Sequence, residues 1–189
     1  MLQSPVIMNS VAEERIADQI LQLADRIGRD AFLDVCLNLM KGADRNLYVQ
    51  ELRSLTGHAW APGDSVFDPQ SWPDYWVRTW GARGLLHVWD DRATDAVVHG
   101  LSDEHWRPAE MCLKIAARHD VAGTADGAAK LLNHPLPRVR TQALRALSVV
   151  GDTEHFELVK RLAEAEDASV RQQANRTLDA MRRRLDILS

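Results

Sequence analysis

Two glutamate–histidine dipeptides, Glu104-His105 and Glu154-His155, are the residues best suited by type to hold a metal ion. Imidazole nitrogen and carboxylate oxygen both ligate divalent transition metals. Only these two pairs occur, and 50 residues separate them. Polar residues in helix caps account for them better, and no metal or other cofactor is expected. Two cysteines, Cys36 and Cys112, stand 76 residues apart, each inside an apolar helical pattern. They read as buried small hydrophobes, and so sparse a pair says nothing about a disulfide framework. The chain has no Gly-rich phosphate loop, no Cys-x-x-Cys pair and no nucleophile elbow. No catalytic residue is assigned, and nothing in the sequence argues for an enzyme.

The tryptophans offer a different chemistry. Six occur, at 60, 72, 76, 80, 89 and 106, and five of them fall within residues 60–89. Trp76 and Trp80 are four apart and share a helical face. Such a cluster either packs a loop onto a helix or forms a recognition surface, since tryptophan is enriched among interface hot spots. Pro62, Pro69 and Pro73 would stiffen that surface. The candidate binding residues are Trp60, Trp72, Tyr75, Trp76 and Trp106. Trp60 and Trp72, on a loop, are expected to be more exposed than Trp80 or Trp89. The basic run Arg182-Arg183-Arg184, with Arg171 and Arg176 upstream, suits the negative end of a helix. Asp179 and Asp186 dilute it as a nucleic-acid footprint.

Composition narrows the class. The chain has 189 residues, is 46% hydrophobic and carries a net charge of −4. Residues 1–133 hold 13 Lys/Arg against 19 Asp/Glu, and residues 134–189 hold 10 against 8. Nonspecific phosphate binding is therefore not expected of the whole protein. There is no twenty-residue apolar run, and the first residues lack a basic segment followed by an apolar one. A cytoplasmic protein is the expectation.

The elements that must position these residues are helices. Apolar residues recur at i, i+3, i+4 and i+7 and never alternate for a useful length. A first helix is expected from a Ser10 cap to about Ile27, burying Val11, Ile16, Ile20, Leu21, Leu23 and Ala24, with Gly28 ending it. Further helices are expected over about 30–40 and 44–55, stopped by Gly42 and Gly57. Residues 57–73 hold three prolines and two glycines, which forbid a long helix. Their three aromatic residues, Trp60, Phe67 and Trp72, predict a loop that packs back on the helices.

From Pro73 the chain repeats. Asp74-Tyr75-Trp76-Val77-Arg78, Asp103-Glu104-His105-Trp106-Arg107, Leu136-Pro137-Arg138-Val139-Arg140 and Asp167-Ala168-Ser169-Val170-Arg171 each place a large apolar residue before an arginine. The arginines are 29, 33 and 31 residues apart. A small residue and a leucine follow in three copies: Gly81 and Leu85, Ala143 and Leu147, Ala174 and Leu178. The copy around Trp106 is degenerate and fits if Met111 and Ile115 take those roles. Second helices are expected over about 92–101, 124–132 and 153–165, with Asp91, Thr124 and Thr153 as N-caps. A period near thirty with two helices per unit predicts a solenoid, because one helical hairpin cannot bury its own apolar face.

The pattern Asp-x-x-Val-Arg-x-x-Ala-x-x-x-Leu, complete in Asp167, Val170, Arg171, Ala174 and Leu178, resembles the short bacterial HEAT-like repeat of the phycobilisome-lyase type. The resemblance covers about residues 73–186. It implies an all-α superhelix of stacked two-helix repeats, with residues 1–56 a helical cap or divergent repeats, 57–73 the loop and 74–189 the array. It also implies that Arg78, Arg107, Arg140 and Arg171 make stacking contacts between units. Some HEAT-repeat metalloenzymes bind iron through His-Glu dipeptides, but here the order is reversed and the spacing of 50 is no multiple of the period. HEAT-like repeats also build alkylated-base DNA glycosylases. The acidic tryptophan region, with Asp64, Asp68, Asp74, Asp90, Asp91 and Asp95 against Arg78, Arg83 and Arg92, would repel DNA. The expected function is a non-catalytic scaffold for a protein or peptide partner, with no membrane and no nucleic acid. A DNA-binding or glycosylase-like protein is the alternative.

Overall fold

The structure is a computed structural model that describes the backbone of residues 5–187 and side chains from residue 14 onward. All regular elements among the described residues are helical, with no strand. No helix is long and apolar enough to cross a membrane. The chain divides into two units, Met1–Asp90 and Asp91–Ser189.

The first unit holds α1 (Pro5–Ile27), α2 (Arg29–Met40), α3 (Val49–Thr56) and α4 (Tyr75–His87). Helix α1 runs through Ser10 instead of starting there, so the expected Ser10 cap is not its boundary. The expected burial of Val11 lies outside the described side chains. Ile20, Leu23 and Ala24 are buried as expected, whereas Leu21 is 46% exposed. The reason is angular: Leu21 stands about 100° round the helix from Ile20, on the stripe that carries Glu14, Asp18 and Asp25.

Helices α2 and α4 are packed against each other, as are α1 and α3. Gly81 and Gly84 allow α4 to approach α2 at backbone distance. A Cβ at Gly81 would lie 2.6 Å from the Cys36 carbonyl oxygen and 2.9 Å from the Met40 nitrogen, and one at Gly84 would collide with the Cys36 sulfur. Gly81 thus occupies the small-residue place of the repeat because a main chain fills the space. Phe32, Cys36, Leu39, Leu52, Leu55, Val77 and Leu85 close this core. Both thiols are buried and unpaired. Burial pushes the Cys36 thiol far above its ordinary range. It pushes Cys112 up to about 12, with a smaller contribution from the Asp103 charge.

The second unit holds α5 (Thr94–Gly100), α6 (Trp106–His119), α7 (Ala125–Leu131), α8 (Pro137–Val150), α9 (Phe156–Arg161) and α10 (Ala168–Leu185). The long helices α6, α8 and α10 pack in sequence order, and each short helix packs on the long helix that follows it. Apolar positions at helical spacing supply the contacts: Ala109, Leu113 and Ala116 on α6, Val139, Ala143 and Leu147 on α8, and Val170, Ala174 and Leu178 on α10 are all buried. Met111 and Ile115, assigned to the degenerate copy, are buried too. Hydrogen bonds cross between helices about one repeat apart: Thr177 Oγ1 donates to the Leu144 carbonyl, and Arg184 to that of Gly151.

The caps differ in detail from expectation. Thr124 sits at the N-cap of α7, but its hydroxyl donates back to the Val121 carbonyl at 2.6 Å. The turn at 153–155 is capped by Asp152, not Thr153, with His155 Nδ1 accepting from the Asp152 N–H at 3.0 Å. Asp167 caps α10 by accepting from the Ser169 and Val170 N–H groups. Its carboxyl is held below the usual range, first by the Ser169 hydroxyl and then by the Val170 N–H.

Candidate functional site

The loop 57–73 and the start of α4 form one aromatic array. Trp72 lies at its centre, 5.9 Å from Trp60, 5.5 Å from Trp76 and 5.7 Å from Trp80 between ring centroids. Trp76 stacks on Trp80 at 6.1 Å and meets Tyr75 at 5.5 Å, while His58 lies 5.0 Å from Trp60. The contacts of Trp72 with Trp60 and Trp76 are edge-on, the favoured geometry for ring quadrupoles. Trp80 is buried, whereas Trp60, Trp72, Tyr75 and Trp76 are half-buried.

Arg45 holds this array in place. Its side chain is only 3% exposed, and it donates to the Val66 carbonyl at 2.8 Å, the Trp72 carbonyl at 2.5 Å and Asp74 Oδ1 at 2.5 Å. One guanidinium therefore satisfies two loop carbonyls and ties the loop to the entry of α4. A fork of rigid donors suits this task better than a lysine ammonium. Two more bonds fix Trp60. Its indole N–H donates to Thr56 Oγ1 at 2.8 Å, and Arg53 Nε donates to its carbonyl at 2.5 Å. Asp68 closes the turn before Trp72. The Ser71 hydroxyl and then the Gln70 N–H hold its carboxyl below the ordinary range. Arg45 was missed by the sequence reading because it opens a 3-10 turn outside the periodic pattern.

The structure brings Trp60, Trp72, Tyr75 and Trp76 together. Trp106, the remaining candidate, belongs to the second unit. Its ring carries the Arg107 guanidinium at 4.5 Å and the Arg138 guanidinium at 4.8 Å, with His105 stacked at 5.7 Å. Its face is thus engaged by the chain itself.

Two of the recurrent arginines, Arg140 and Arg171, bind main chain. Arg140 donates to the carbonyls of His134 and Pro135 at 2.9 and 3.0 Å, and Arg171 does the same with Ala165 and Glu166 at 2.6 and 3.2 Å. In both copies the targets lie six and five residues upstream, in the turn before the arginine's own helix. Arg78, like Arg140 and Arg171, is the fourth residue of its helix, whereas Arg107 is the second residue of α6 and lies over the Trp106 ring.

Among the described residues, one His/Asp/Glu cluster has donor atoms within 4.8 Å of one another: Asp126, Glu154 and His155. The hydrogen bonds of His155 argue against a metal there. Its Nδ1 accepts from the Asp152 N–H, so the ring proton sits on Nε2, which faces Asp126 Oδ1 at 3.3 Å. A metal on Nε2 needs that lone pair free and the proton moved to Nδ1, where it would oppose an N–H. His105 and His134 use Nδ1 in the same way, accepting from the Arg107 and Leu136 N–H groups. The histidines of the Glu-His pairs thus serve as cap residues.

Two small hollows adjoin the array on the side of α1. One, of about 260 Å³, is lined by residues that include Gln19, Gln22, Arg26, Arg53 and Ser54. The other, of about 220 Å³, includes Arg15, Ile16 and Thr56. They share Gln19, Gly57 and His58. No protein-family model, curated protein or solved structure matches the chain.

Proposed function

We propose that this chain is a non-catalytic binding module that holds a protein or peptide partner on the aromatic array of its first unit. The observation that carries the reading is the array of half-buried Trp60, Trp72, Tyr75 and Trp76, its loop tied down by buried Arg45 at the Val66 and Trp72 carbonyls and at Asp74. Rings ordered before the partner arrives lose little entropy on binding, and partly exposed tryptophan is the side chain most enriched at binding hot spots. The second unit fits the same role as a supporting array of HEAT-like repeats. Its helix order, buried Val/Ala/Leu positions and repeated arginine caps support that reading. We place the protein in the cytoplasm on the same footing.

The test is affinity recovery from native lysate. Wild-type protein should recover a partner that a Trp60→Ala/Trp72→Ala variant loses, while Trp106→Ala retains it. Circular dichroism and thermal unfolding check that each variant is folded. Recovery of the same partner by the folded double variant contradicts the proposal.

A further inference from the structure

The second unit is neutral as a whole, but its charges are sorted by helix. The long helices α6, α8 and α10 carry three, three and five Lys/Arg against one, none and one Asp/Glu. The rest of residues 91–189 carries 4 Lys/Arg against 13 Asp/Glu. Counted along the chain these charges nearly cancel, which is why the sequence reads against nucleic acid. Folding separates them, because α6, α8 and α10 pack on one another in order and their outer faces share one surface.

Spacing places the cations on that surface. Arg138 and Arg145 are seven residues apart on α8, and Arg176 and Arg183 are seven apart on α10, two turns or about 10 Å in each case. Lys114 and Arg118 are four apart on α6 and share a face. Arg145 stands about 160° round α8 from buried Ala143, so its row turns away from the core. Arg118, Arg138, Arg145, Arg176 and Arg183 are exposed, and Lys114 is half-buried.

Hydrogen bonds cross the surface and hold two of these arginines. Arg138 reaches Glu110 of α6 at 2.8 Å. Arg145 donates through Nε to Gln173 Oε1 of α10 at 3.4 Å and through Nη1 to Gln142 Oε1 at 3.3 Å. Both acceptors of Arg145 are neutral amides, so its guanidinium is positioned with its charge uncancelled. The two carboxylates of the three helices are already engaged, Glu110 by Arg138 and Asp179 by Arg182. Among the described residues, Lys114, Arg118, Arg176 and Arg183 meet no carboxylate.

The rest of the surface selects among polyanions. Among the described residues the exposed large apolar side chains are Leu21, Leu47 and Leu158, none of them on α6, α8 or α10. The face therefore lacks both the apolar centre of a protein interface and the apolar stripe that enters a membrane. The Trp106 ring is engaged by Arg107 and Arg138, which leaves it unsuited to stacking an unpaired base. Guanidinium, ammonium, amide and hydroxyl groups remain, the set that positions a protein on phosphate oxygens. Helices α6 and α8, of 14 residues each, are about 21 Å long, and a duplex presents one charge per about 1.7 Å over such a length.

We infer that the outer face of α6, α8 and α10 binds the phosphate backbone of a nucleic-acid duplex without reading its sequence. This surface belongs to the second unit and does not depend on the aromatic array of the first.

The test titrates the full chain into short fluorescein-labelled duplexes of DNA and of RNA, reading anisotropy between about 50 and 200 mM salt. Binding should weaken steeply as salt rises, and the tighter duplex names the natural form. Arg145→Gln/Arg176→Gln should bind about tenfold more weakly at low salt and lower the log–log salt slope by about 2. Lys160→Gln/Arg161→Gln, which removes two exposed cations from α9, should bind as wild type does. Circular dichroism checks that both variants are folded. Polyglutamate and phosphatidylserine vesicles, at matched charge, should not displace the duplex. No binding of either duplex, an equal loss in the two double variants, or displacement by polyglutamate or by vesicles overturns the inference.

Discussion

Arg138 of α8 forks onto Glu110 of α6 through three hydrogen bonds of 3.1, 2.8 and 2.9 Å. The two residues are 28 apart, and their side chains are 55% and 11% exposed. The carboxylate is nearly enclosed and the arginine opens to solvent across the Trp106 ring. Removing the arginine leaves a half-desolvated charge, whereas removing both partners does not. A double-mutant cycle of Arg138→Met and Glu110→Gln should give a coupling of about 1–2 kcal/mol. Urea unfolding of the four proteins measures it, and additive effects would remove this pair as a link between α6 and α8.

The Arg45 clamp makes a sharper prediction. Arg45→Met should destabilise the first unit by about 3 kcal/mol, because the Val66 and Trp72 carbonyls lose their donor together. Arg45→Lys should restore only part of this, since one ammonium cannot span both carbonyls and Asp74. Equilibrium unfolding followed by tryptophan fluorescence reads both stability and the order of the rings. Full rescue by lysine would show that charge alone holds the loop.

The approach of α4 to α2 predicts an asymmetry between glycine and alanine. Gly81→Ala should cost about 2–3 kcal/mol despite the better helix propensity of alanine, because the added methyl meets the Cys36 carbonyl. At Gly84 the obstacle is the Cys36 side chain, so pairing Gly84→Ala with Cys36→Ala should recover much of the loss. Thermal denaturation of the single and double variants tests this. A neutral Gly81→Ala would show that the helices are free to separate.

Asp68 and Asp167 predict a pH dependence. Both carboxyls are depressed by hydrogen bonds to nearby Ser hydroxyls and N–H groups. Their contribution is therefore complete above the unfolded value of about 3.9 and is lost as pH falls through the lower folded value. Asp167→Asn should therefore lower stability near pH 7, leave it unchanged at low pH where the wild-type carboxyl is protonated too, and so flatten the decline below pH 4. Urea midpoints across that range test it, and an acid limb unchanged by both Asp68→Asn and Asp167→Asn contradicts it.

The helical order was legible because period and punctuation agreed. Gly28, Gly42 and Gly57 all take positive φ where the sequence placed helix ends. Buried Val139, Ala143 and Leu147 recur in α10 as Val170, Ala174 and Leu178. The binding surface was only half legible. Clustered tryptophans marked the region, but no local pattern marks Arg45, whose three partners are 21, 27 and 29 residues away. The hollows by α1 were likewise hidden, since a helical stripe of Arg15, Gln19, Gln22 and Arg26 reads as ordinary solvated surface until α3 faces it. Asp152 took the capping role expected of Thr153 because a histidine three residues on closes the reciprocal bond.

Amide hydrogen exchange of the recovered complex tests the central claim most directly. With the partner bound, exchange should slow across residues 57–76 of the first unit and stay unchanged across α8. Protection confined to the second unit, with the tryptophan loop exchanging as in the free protein, would contradict the aromatic array as the binding surface.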